Sequence, residues 1–365
     1  MRRARRQRED GLMGAIHLSQ LIEHGRPALI DRYGQHLTAH QRRALDAMAR
    51  CRTGALGATV MACSNCEQRQ VRLRSCGHRS CPRCQHHAAT DWLERQRAKL
   101  LPAHYFMVTF TLPTALRPLA YRHPRAIHDL LFRTAIDTLR TFGRHHPDLE
   151  ADLAATAVLH THTRRLDYHP HLHVIVPGAG LDRQRRWRKL SGRYLFNGRA
   201  LGLVFRARFI DALQRAGFEL PANGPPRWIV QCQHVGHGLT ALTYLSRYLY
   251  RGVVAEKQIV AFDPAAGTVT FRYQHAKSRQ QRLRTLPLVE FLWRLMIHVL
   301  PRGYRRVRDF GFLHGNAKTT RALIQVVLRV VVPPPPRTPA CFRCVTCQAE
   351  MTVIAVFNTR PRPTT

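Results

Sequence analysis

The chain has 365 residues, a length that can bury at least one sizeable core and form two or three domains. Its 58 Lys and Arg residues outnumber its 22 Asp and Glu residues, so the formal net charge is +36 at pH 7. This excess favours a polyanionic partner, with nucleic acid as the leading candidate. The longest apolar stretch, residues 322–332, contains Gln325 and Arg329 and is too short to span a bilayer, so we expect a soluble protein without a membrane partner.

The first residues indicate the compartment. Met1-Arg-Arg-Ala-Arg-Arg6 is basic but leads to no apolar core with a cleavage site. We therefore expect a cytoplasmic protein. Free thiols in the cytoplasm bind metal more often than they pair as disulfides, which makes the 10 cysteines candidate metal ligands.

Helical and strand patterns are mixed along the chain, which predicts the α+β class. Residues 51–84, by contrast, are rich in cysteine and weakly periodic, and the run Pro333 to Pro336 predicts a stiff linker before a short tail. In chain order, the patterns predict a helical region at 15–50 broken near Gly34, a helix at 90–101, a strand at 105–112, a helix at 124–142, strands at 154–161 and 169–176, a helix at 206–216, a strand at 228–233, a helix at 239–251, strands at 259–262 and 268–273, and a helix at 287–300.

Two CxxC knuckles, Cys63-Ser-Asn-Cys66 and Cys81-Pro-Arg-Cys84, are separated by 14 residues. This is zinc-ribbon spacing, because each knuckle offers two thiolates to one tetrahedral ion. Four thiolates leave no open coordination position, so the pattern predicts a structural zinc. Cys76 and His78 could replace a ligand or hold a second ion, whereas we expect Cys51 to serve packing.

The segment His169-Pro-His171-Leu-His173 lies in a predicted strand. Residues two apart on a strand point to the same face, so His171 and His173 point together, while Leu172 and Val174 point to the opposite face. The two imidazoles could therefore share one metal ion. An isolated pair of this kind is weak evidence in a chain with 22 histidines.

Tyr244 and Tyr248 lie one turn apart in a predicted helix. Leu242, Leu245 and Leu249 form an apolar stripe on that helix, and both tyrosines fall on the opposite face. Two phenols among guanidinium groups would present nucleophiles and phosphate ligands to one DNA backbone. An ordinary amphipathic surface is the alternative. The guanidinium groups on this face belong to Arg247 and Arg251.

A basic turn follows the histidine strand at residues 183–189. It combines positive charge with an aromatic ring, which would suit unpaired DNA or a DNA hairpin, although a solvated basic hairpin is an equal alternative. Its candidate DNA-binding residues are Arg185, Arg186, Trp187 and Arg188.

Together these residues resemble the HUH-type rolling-circle transposases of the insertion sequence 91 family, over nearly the whole chain. Two positions depart from the family pattern: Ser80 stands where a histidine is expected, and the tail lacks the glycine that usually follows a knuckle such as Cys344-Val-Thr-Cys347, which leaves metal binding by the tail open. The resemblance rests on Cys51-Arg-Thr-Gly-Ala-Leu-Gly57, Ser75-Cys76, the two knuckles, Tyr105-Phe106, Phe110-Thr-Leu-Pro113, Leu159-His-Thr161, His169-Pro-His-Leu-His173, Val176-Pro-Gly178, Tyr244-Leu-Ser-Arg-Tyr248 and His298-Val-Leu-Pro301.

The resemblance implies an HUH-type antiparallel sheet flanked by helices and preceded by a helical segment and a small zinc ribbon. We therefore expect four segments. These are a helical lead-in at 1–50, a zinc-binding domain at 51–100, a two-tyrosine catalytic domain at 101–330, and a Pro-rich linker with a cysteine-containing tail at 331–365.

The resemblance also implies a mechanism. Tyr244 or Tyr248 would attack single-stranded DNA at an element end and form a 5′-phosphotyrosine link that stores the bond energy for strand transfer to a target, without ATP. A divalent ion, Mg²⁺ or Mn²⁺, would be held by His171, His173 and a third ligand. We expect His160 as that ligand, with His162, Gln233 and His234 as rivals.

Two other functions fit parts of the pattern. A non-catalytic zinc-ribbon regulator would bind DNA through the ribbon without cleaving it. A plasmid replication initiator or a conjugative relaxase would share the histidine pair and the tyrosine chemistry. The N-terminal ribbon argues against the initiator and against the relaxase.

Overall fold

The computed structural model describes residues 16–222, 224–250, 252–275, 278–332 and 342–358, and the side chains of His86, His87, Tyr248 and Tyr250 lie outside this description. Within these ranges, no helix combines the length and the apolar character that crossing a bilayer requires. The α-helices are α1 (Leu18–Tyr33), α2 (Ala39–Arg50), α3 (His86–Arg97), α4 (Arg117–Arg122), α5 (Pro124–Arg144), α6 (Gly198–Arg215), α7 (Leu239–Tyr250), α8 (Leu288–Met296) and α9 (Lys318–Val327).

Most strands form antiparallel pairs with neighbours that are close in the sequence. The strands are β1 (Ala58–Cys63), β2 (Arg69–Leu73), β3 (Tyr105–Thr111), β4 (Asp152–Leu153), β5 (Ala155–His162), β6 (Tyr168–Pro177), β7 (Ala179–Leu181), β8 (Trp187–Lys189), β9 (Val230–His234), β10 (Ile259–Asp263), β11 (Thr268–Gln274), β12 (Gln281–Pro287), β13 (Val307–Phe310), β14 (Phe342–Arg343) and β15 (Glu350–Phe357).

A five-stranded antiparallel sheet in the order β13-β5-β6-β3-β9 forms the centre of the fold. Its side chains alternate between two cores, as a strand period of two requires. Leu172 and Val174 of β6 are buried with side chains of α5 and α6, whereas Ile175 is buried on the other face with side chains of α3 and α7. Helices therefore cover both faces of an antiparallel sheet, which confirms the predicted α+β class.

A second core joins the N-terminal helices to the segment that follows α7. Side chains of α1 and α2 are buried together with those of α8 and of the three-stranded sheet β10-β11-β12. Gly25 of α1 faces α8 so closely that a Cβ atom there would lie 2.7 Å from Leu288 Cγ. The described part of the helical lead-in predicted at 1–50, residues 16–50, therefore packs on residues far along the chain.

The cysteine-rich region and the C-terminal tail share one sheet. Its strand order is β14-β15-β1-β2, and β1 pairs with β15 from Ala58 opposite Phe357 to Cys63 opposite Met351. Strands from the predicted segments 51–100 and 331–365 thus belong to one sheet, which contains residues 58–73 of the first and 342–357 of the second. Its buried apolar cluster is small and consists of Met61, Cys63, Cys344 and Met351.

Candidate active site and metal centres

Three histidines converge on the face of the central sheet that carries α7. His171 and His173 alternate with buried Leu172 on β6, and His160 of β5 lies directly opposite His171. One ligand nitrogen from each ring lies within 4.8 Å of the others. The ring of His160 lies 4.6 Å from that of His173 and 5.3 Å from that of His171, measured between centroids.

Neighbouring groups orient two of these rings. His171 Nδ1 lies 2.7 Å from the backbone oxygen of His169, and His173 Nδ1 lies 3.1 Å from Thr109 Oγ1 on the adjacent strand β3. If each Nδ1 carries the proton and donates it to these oxygens, each Nε2 keeps its lone pair. Such second contacts fix the tautomer and the ring orientation of metal-binding histidines.

His160 is buried and His171 and His173 are half-buried, and burial favours neutral imidazole. Burial, followed by the neighbouring imidazoles, holds the pKa of His160 well below its usual value, and burial together with His171 lowers the pKa of His173 to about 3. Burial also lowers the pKa of His171. Neutral imidazole is the form that binds a metal ion, so the donor set fits a divalent ion.

The rival third ligands lie elsewhere. His162 faces His298, with ring centroids 5.5 Å apart, and its own centroid is 6.4 Å from that of His160. His234 contacts His104, with nitrogens 3.1 Å apart, and lies opposite Phe106, and Gln233 is its neighbour on the edge strand β9. Within the described part of the chain, the group that could hold a metal here is His160, His171 and His173.

Tyr244 lies beside this cluster on α7. Its ring is perpendicular to that of His173, with centroids 6.4 Å apart, and the side chain is 36% exposed. The predicted apolar stripe, Leu242, Leu245 and Leu249, is buried against the sheet, which sets the direction in which Tyr244 points. The side chain of Tyr248 and all of Arg251 lie outside the described residues.

A basic cleft of about 550 Å³ opens next to Tyr244. It lies between α7 and the β10-β11-β12 sheet, and Arg164, from the loop that joins β5 and β6, also lines it. His162 and three glutamines line the rest of its polar wall, and no carboxylate is among the described lining residues. The cationic lining residues are Arg164, Arg247, Lys257 and Arg272. Those outside α7 were not predicted, because they come from three separate segments of the chain.

One four-cysteine cluster consists of Cys51, Cys76, Cys81 and Cys84, with all four sulfurs within 4.8 Å of one another. Cys51, expected only to pack, is therefore a member, and Cys76 is a ligand candidate, as foreseen. His78 is not in the cluster, and its Nδ1 instead accepts a hydrogen bond from the Ser80 backbone N–H at 3.2 Å.

A second four-cysteine cluster consists of Cys63, Cys66, Cys344 and Cys347. The prediction that the knuckles at 63–66 and 81–84 share one ion is therefore wrong. The reason is the pairing of β1 with β15, which brings the tail to the first knuckle, a contact about 280 residues away in sequence that spacing alone does not reveal.

Comparison with known proteins identifies the family. The model described as "Transposase zinc-binding domain" matches residues 21–112, and the model described as "Putative transposase" matches residues 154–321. "Putative transposase y4qJ" of Sinorhizobium fredii is 36% identical over 342 residues, which cover 85% of each chain. The "Transposase for insertion sequence element IS801" of Pseudomonas savastanoi pv. phaseolicola is 27% identical over 85% of this chain and 82% of that relative. The chain belongs to the IS91 family of transposases.

Among solved structures, the transposase is similar to the conjugative relaxase TrwC in complex with mutant oriT DNA. The match has 15% identity and a TM-score of 0.28, and it covers 62% of this chain and 73% of the relaxase. A second TrwC structure, described as metal-bound, matches with a TM-score of 0.26. Similarity at this level carries no argument about function.

The predicted basic turn of the transposase forms β8 and the loop before it. Arg186 pairs with Asp182 at 2.9 Å, and Arg185 donates to Thr320 Oγ1 at 3.4 Å, while Arg188 is exposed. Trp187 is half-buried, and its ring packs against Phe312 with centroids 5.7 Å apart. Part of the Trp187 ring therefore packs against a small apolar core, and its role in DNA binding stays a prediction.

Proposed function

We propose that this transposase nicks single-stranded DNA at element ends with a tyrosine of α7 and then transfers the strand by rolling-circle transposition. Tyr244 is the proposed first nucleophile, and Tyr248, one turn later, is the proposed second. The observation that supports this proposal best is the position of Tyr244 beside His173, at 6.4 Å between ring centroids and at the mouth of a basic cleft.

The three converging histidines are the proposed ligands of a divalent ion, Mg²⁺ or Mn²⁺. Bound there, the ion would act as a Lewis acid on the scissile phosphate. His160, His171 and His173 offer neutral nitrogens, and Thr109 and the His169 carbonyl hold two of the rings in place. Three imidazoles leave coordination positions open for phosphate oxygens and water.

The nucleophile must lose its proton. A tyrosine with an ordinary pKa of about 10 is mostly protonated at pH 7, and forming the phenolate costs roughly 4 kcal/mol. Cations in the cleft beside Tyr244, among them Arg247, would offset part of this cost. Attack would form a bond between the tyrosine oxygen and the 5′-phosphate, and the leaving 3′-oxygen would take up a proton. The phosphotyrosine keeps the bond energy, so strand transfer would need no ATP.

The DNA backbone would follow the basic cleft. Guanidinium and ammonium groups make charge-assisted hydrogen bonds to phosphates, and the overall charge of +36 would attract DNA from a distance. A DNA substrate would place the transposase in the bacterial cytoplasm, at the nucleoid when bound. The proposed DNA-binding residues are Arg164, Arg247, Arg251, Lys257 and Arg272, with Arg185, Arg186 and Arg188 as a second group.

A structural zinc fits the N-terminal part of the chain. The cluster of Cys51, Cys76, Cys81 and Cys84 lies within the match to the zinc-binding family model at 21–112. Four thiolates close the coordination shell, so this ion would hold the fold rather than take part in cleavage.

The test is adduct formation. The purified protein is incubated with labelled single-stranded element ends and Mg²⁺ or Mn²⁺, and covalent protein–DNA adducts are resolved on denaturing gels. We expect adducts from the wild type, and none from the Tyr244→Phe/Tyr248→Phe double variant or from His171→Ala. Tyr194→Phe is the matched control, because Tyr194 is also exposed, at 65%, and is neither among the residues that line the cleft nor part of the histidine cluster.

The third ligand is tested in the same assay. His160→Ala should reduce both Mn²⁺ affinity, measured by calorimetry, and adduct formation, whereas His162→Ala should keep the Mn²⁺ affinity of the wild type. Tight binding to authentic ends without any adduct in either metal would instead identify a non-catalytic DNA-binding regulator.

A further inference from the structure

The tail of the transposase carries three cysteines that neither family model includes, and the structure describes two of them, Cys344 and Cys347. The models match residues 21–112 and 154–321, whereas Cys344 and Cys347 lie beyond both. The structure nevertheless places them at Cys63 and Cys66, with all four sulfurs within 4.8 Å of one another.

We propose that these four cysteines form a second structural zinc site, built from both ends of the chain. One knuckle comes from residues 63–66, at the end of β1, and the other from residues 344–347, between β14 and β15. The site is separate from the cluster that contains Cys51 and shares no ligand with it. The tail is then a functional half of the zinc ribbon rather than an appendage.

The sulfur spacing supports a metal rather than a disulfide. Two ligands on a tetrahedron with Zn–S bonds of about 2.3 Å lie roughly 3.8 Å apart. The sulfurs of Cys63 and Cys347 lie 3.4 Å apart, and those of Cys66 lie 3.6 Å from Cys344 and 3.5 Å from Cys347. A disulfide bond would be about 2.05 Å long. Cys66 is also close to two partners at once, which a disulfide cannot satisfy.

The two knuckles have the same backbone conformation, although their sequences differ. In each, the N–H two residues after the first cysteine donates to its sulfur at 3.4 Å, from Asn65 to Cys63 and from Thr346 to Cys344. Each first cysteine also donates its own N–H to the carbonyl five residues later at 2.9 Å. Backbone N–H groups directed at a sulfur stabilise the thiolate, which is the form that binds zinc.

The tail knuckle is followed by Gln348 where a glycine is usual, and the structure shows that Gln348 adopts the backbone conformation that glycine favours. Gln348 takes the left-handed conformation there, with φ of 62°, and Glu67 takes it at the same place in the other knuckle, with φ of 56°. A residue other than glycine pays some strain in this region. Both knuckles do so at equivalent positions, which indicates that the turn geometry is required by what the sulfurs bind.

The ribbon also needs a metal because its core is small. Its buried apolar cluster consists of Met61, Cys63, Cys344 and Met351, while Val353 and Val356 of β15 are about half exposed. So few buried side chains rarely stabilise a sheet on their own, and small domains of this kind depend on metal or disulfides. An ion with thiolate ligands alone in a structural site is most readily Zn²⁺.

The first measurement is the zinc content of the full chain by mass spectrometry of the metals. All proteins carry His171→Ala, so that the histidine cluster does not add to the count. We expect two zinc ions per chain, and one in the Cys344→Ser/Cys347→Ser variant. Cys232→Ser is the matched control, since Cys232 lies in neither cluster, and it should keep two. The proposal would be overturned by two zinc ions per chain in the Cys344→Ser/Cys347→Ser variant, or by only one zinc ion per chain in the protein that keeps both tail cysteines. Iron in place of zinc would also overturn it.

A second experiment leaves all the cysteines in place, so its result does not depend on whether a cysteine variant folds. A protease site is inserted after Pro336, in the linker, and the full-length protein is cut there. We expect the C-terminal fragment to stay with the body on gel filtration and to dissociate when a chelator removes zinc. Release of the fragment with zinc still present at two ions per chain would contradict the proposal. Because the catalytic histidines do not enter this assay, its result is independent of DNA cleavage.

Discussion

The ring of Tyr244 stands edge-on to that of His173, with centroids 6.4 Å apart. The two residues belong to different elements, α7 and β6, so packing between these elements sets their separation. Leu245 of α7 is buried in the same cluster as Ile175 of β6, which lies two residues after His173 and on the same face. The core on this side of the sheet therefore positions the proposed nucleophile over the proposed metal site.

This relationship predicts that a cavity under α7 slows DNA cleavage more than a cavity of similar size on the opposite face of the sheet. Leu245→Ala should lower the free energy of unfolding by about 2–5 kcal/mol, as for other buried leucines, and should also slow adduct formation at least tenfold. Leu213→Ala on α6 is the control, because Leu213 is equally buried on the opposite face of the sheet. Urea unfolding and single-turnover adduct assays compare them. Equal slowing by both variants would show that general destabilisation, not position, is the cause.

Thr109 offers a test of how the histidines are oriented. Its hydroxyl lies 3.1 Å from His173 Nδ1, and removing such a partner typically weakens metal binding 10–100-fold. We expect Thr109→Val, which keeps the shape of the side chain, to raise the dissociation constant for Mn²⁺ by that factor. Thr109→Ser keeps the hydroxyl and should restore most of the affinity. Calorimetry measures both, and unchanged binding in the valine variant would show that the contact does not orient the ring.

The histidine cluster shows what could be predicted from the sequence and what could not. The alternation of histidine with leucine and valine on β6 placed His171 and His173 on one face, and the apolar stripe of α7 placed Tyr244 opposite its buried leucines. Both follow from periodicity within one element. Thr109 was missed because its contact with His173 depends on the register between β3 and β6, which is a property of the sheet.

Pairings over long sequence distances account for the main error. The zinc-ribbon spacing was recognised, but Cys63 and Cys66 lie beside Cys344 and Cys347 of the tail rather than beside the knuckle at 81–84. Other elements were missed for local reasons: β12 and β15 carry many exposed side chains, and α9 lies in the stretch that was considered only as a possible membrane span. The partner of β15, the strand β1, also lies near the other end of the chain.

A buried histidine away from the metal site predicts a pH dependence of stability. Burial lowers the pKa of His128 to about 4, from an unfolded value of about 6.5, and its Nε2 lies 3.2 Å from Tyr168 Oη. The unfolded chain therefore binds the proton more readily, so His128 costs no stability above pH 6.5 and costs up to about 3 kcal/mol as pH falls to 4. His128→Gln, which cannot titrate, should flatten the decline of unfolding free energy over this range. The unfolding free energy of the wild type and of His128→Gln is measured by urea unfolding at each pH. Parallel pH profiles for the two proteins would show that His128 does not cause the decline.

The basic cleft predicts a difference between two arginines on neighbouring strands. Arg272 of β11 lines the cleft and lies opposite Leu283, whereas Arg282 of β12 lies opposite Tyr273 and therefore points to the other face of the sheet. If the cleft holds the DNA backbone, Arg272→Gln should weaken binding to single-stranded element ends several-fold.

Each phosphate contact with single-stranded DNA contributes about 0.7 to the slope of log affinity against log salt concentration. Arg272→Gln should therefore reduce this slope by about that amount, whereas Arg282→Gln, also an exposed arginine on the same sheet, should leave both slope and affinity close to those of the wild type. Fluorescence anisotropy over a series of salt concentrations measures both quantities. Equal losses in the two variants would indicate that the whole charge of the sheet attracts DNA, and the path of the strand past Tyr244 would then have to be sought outside this cleft.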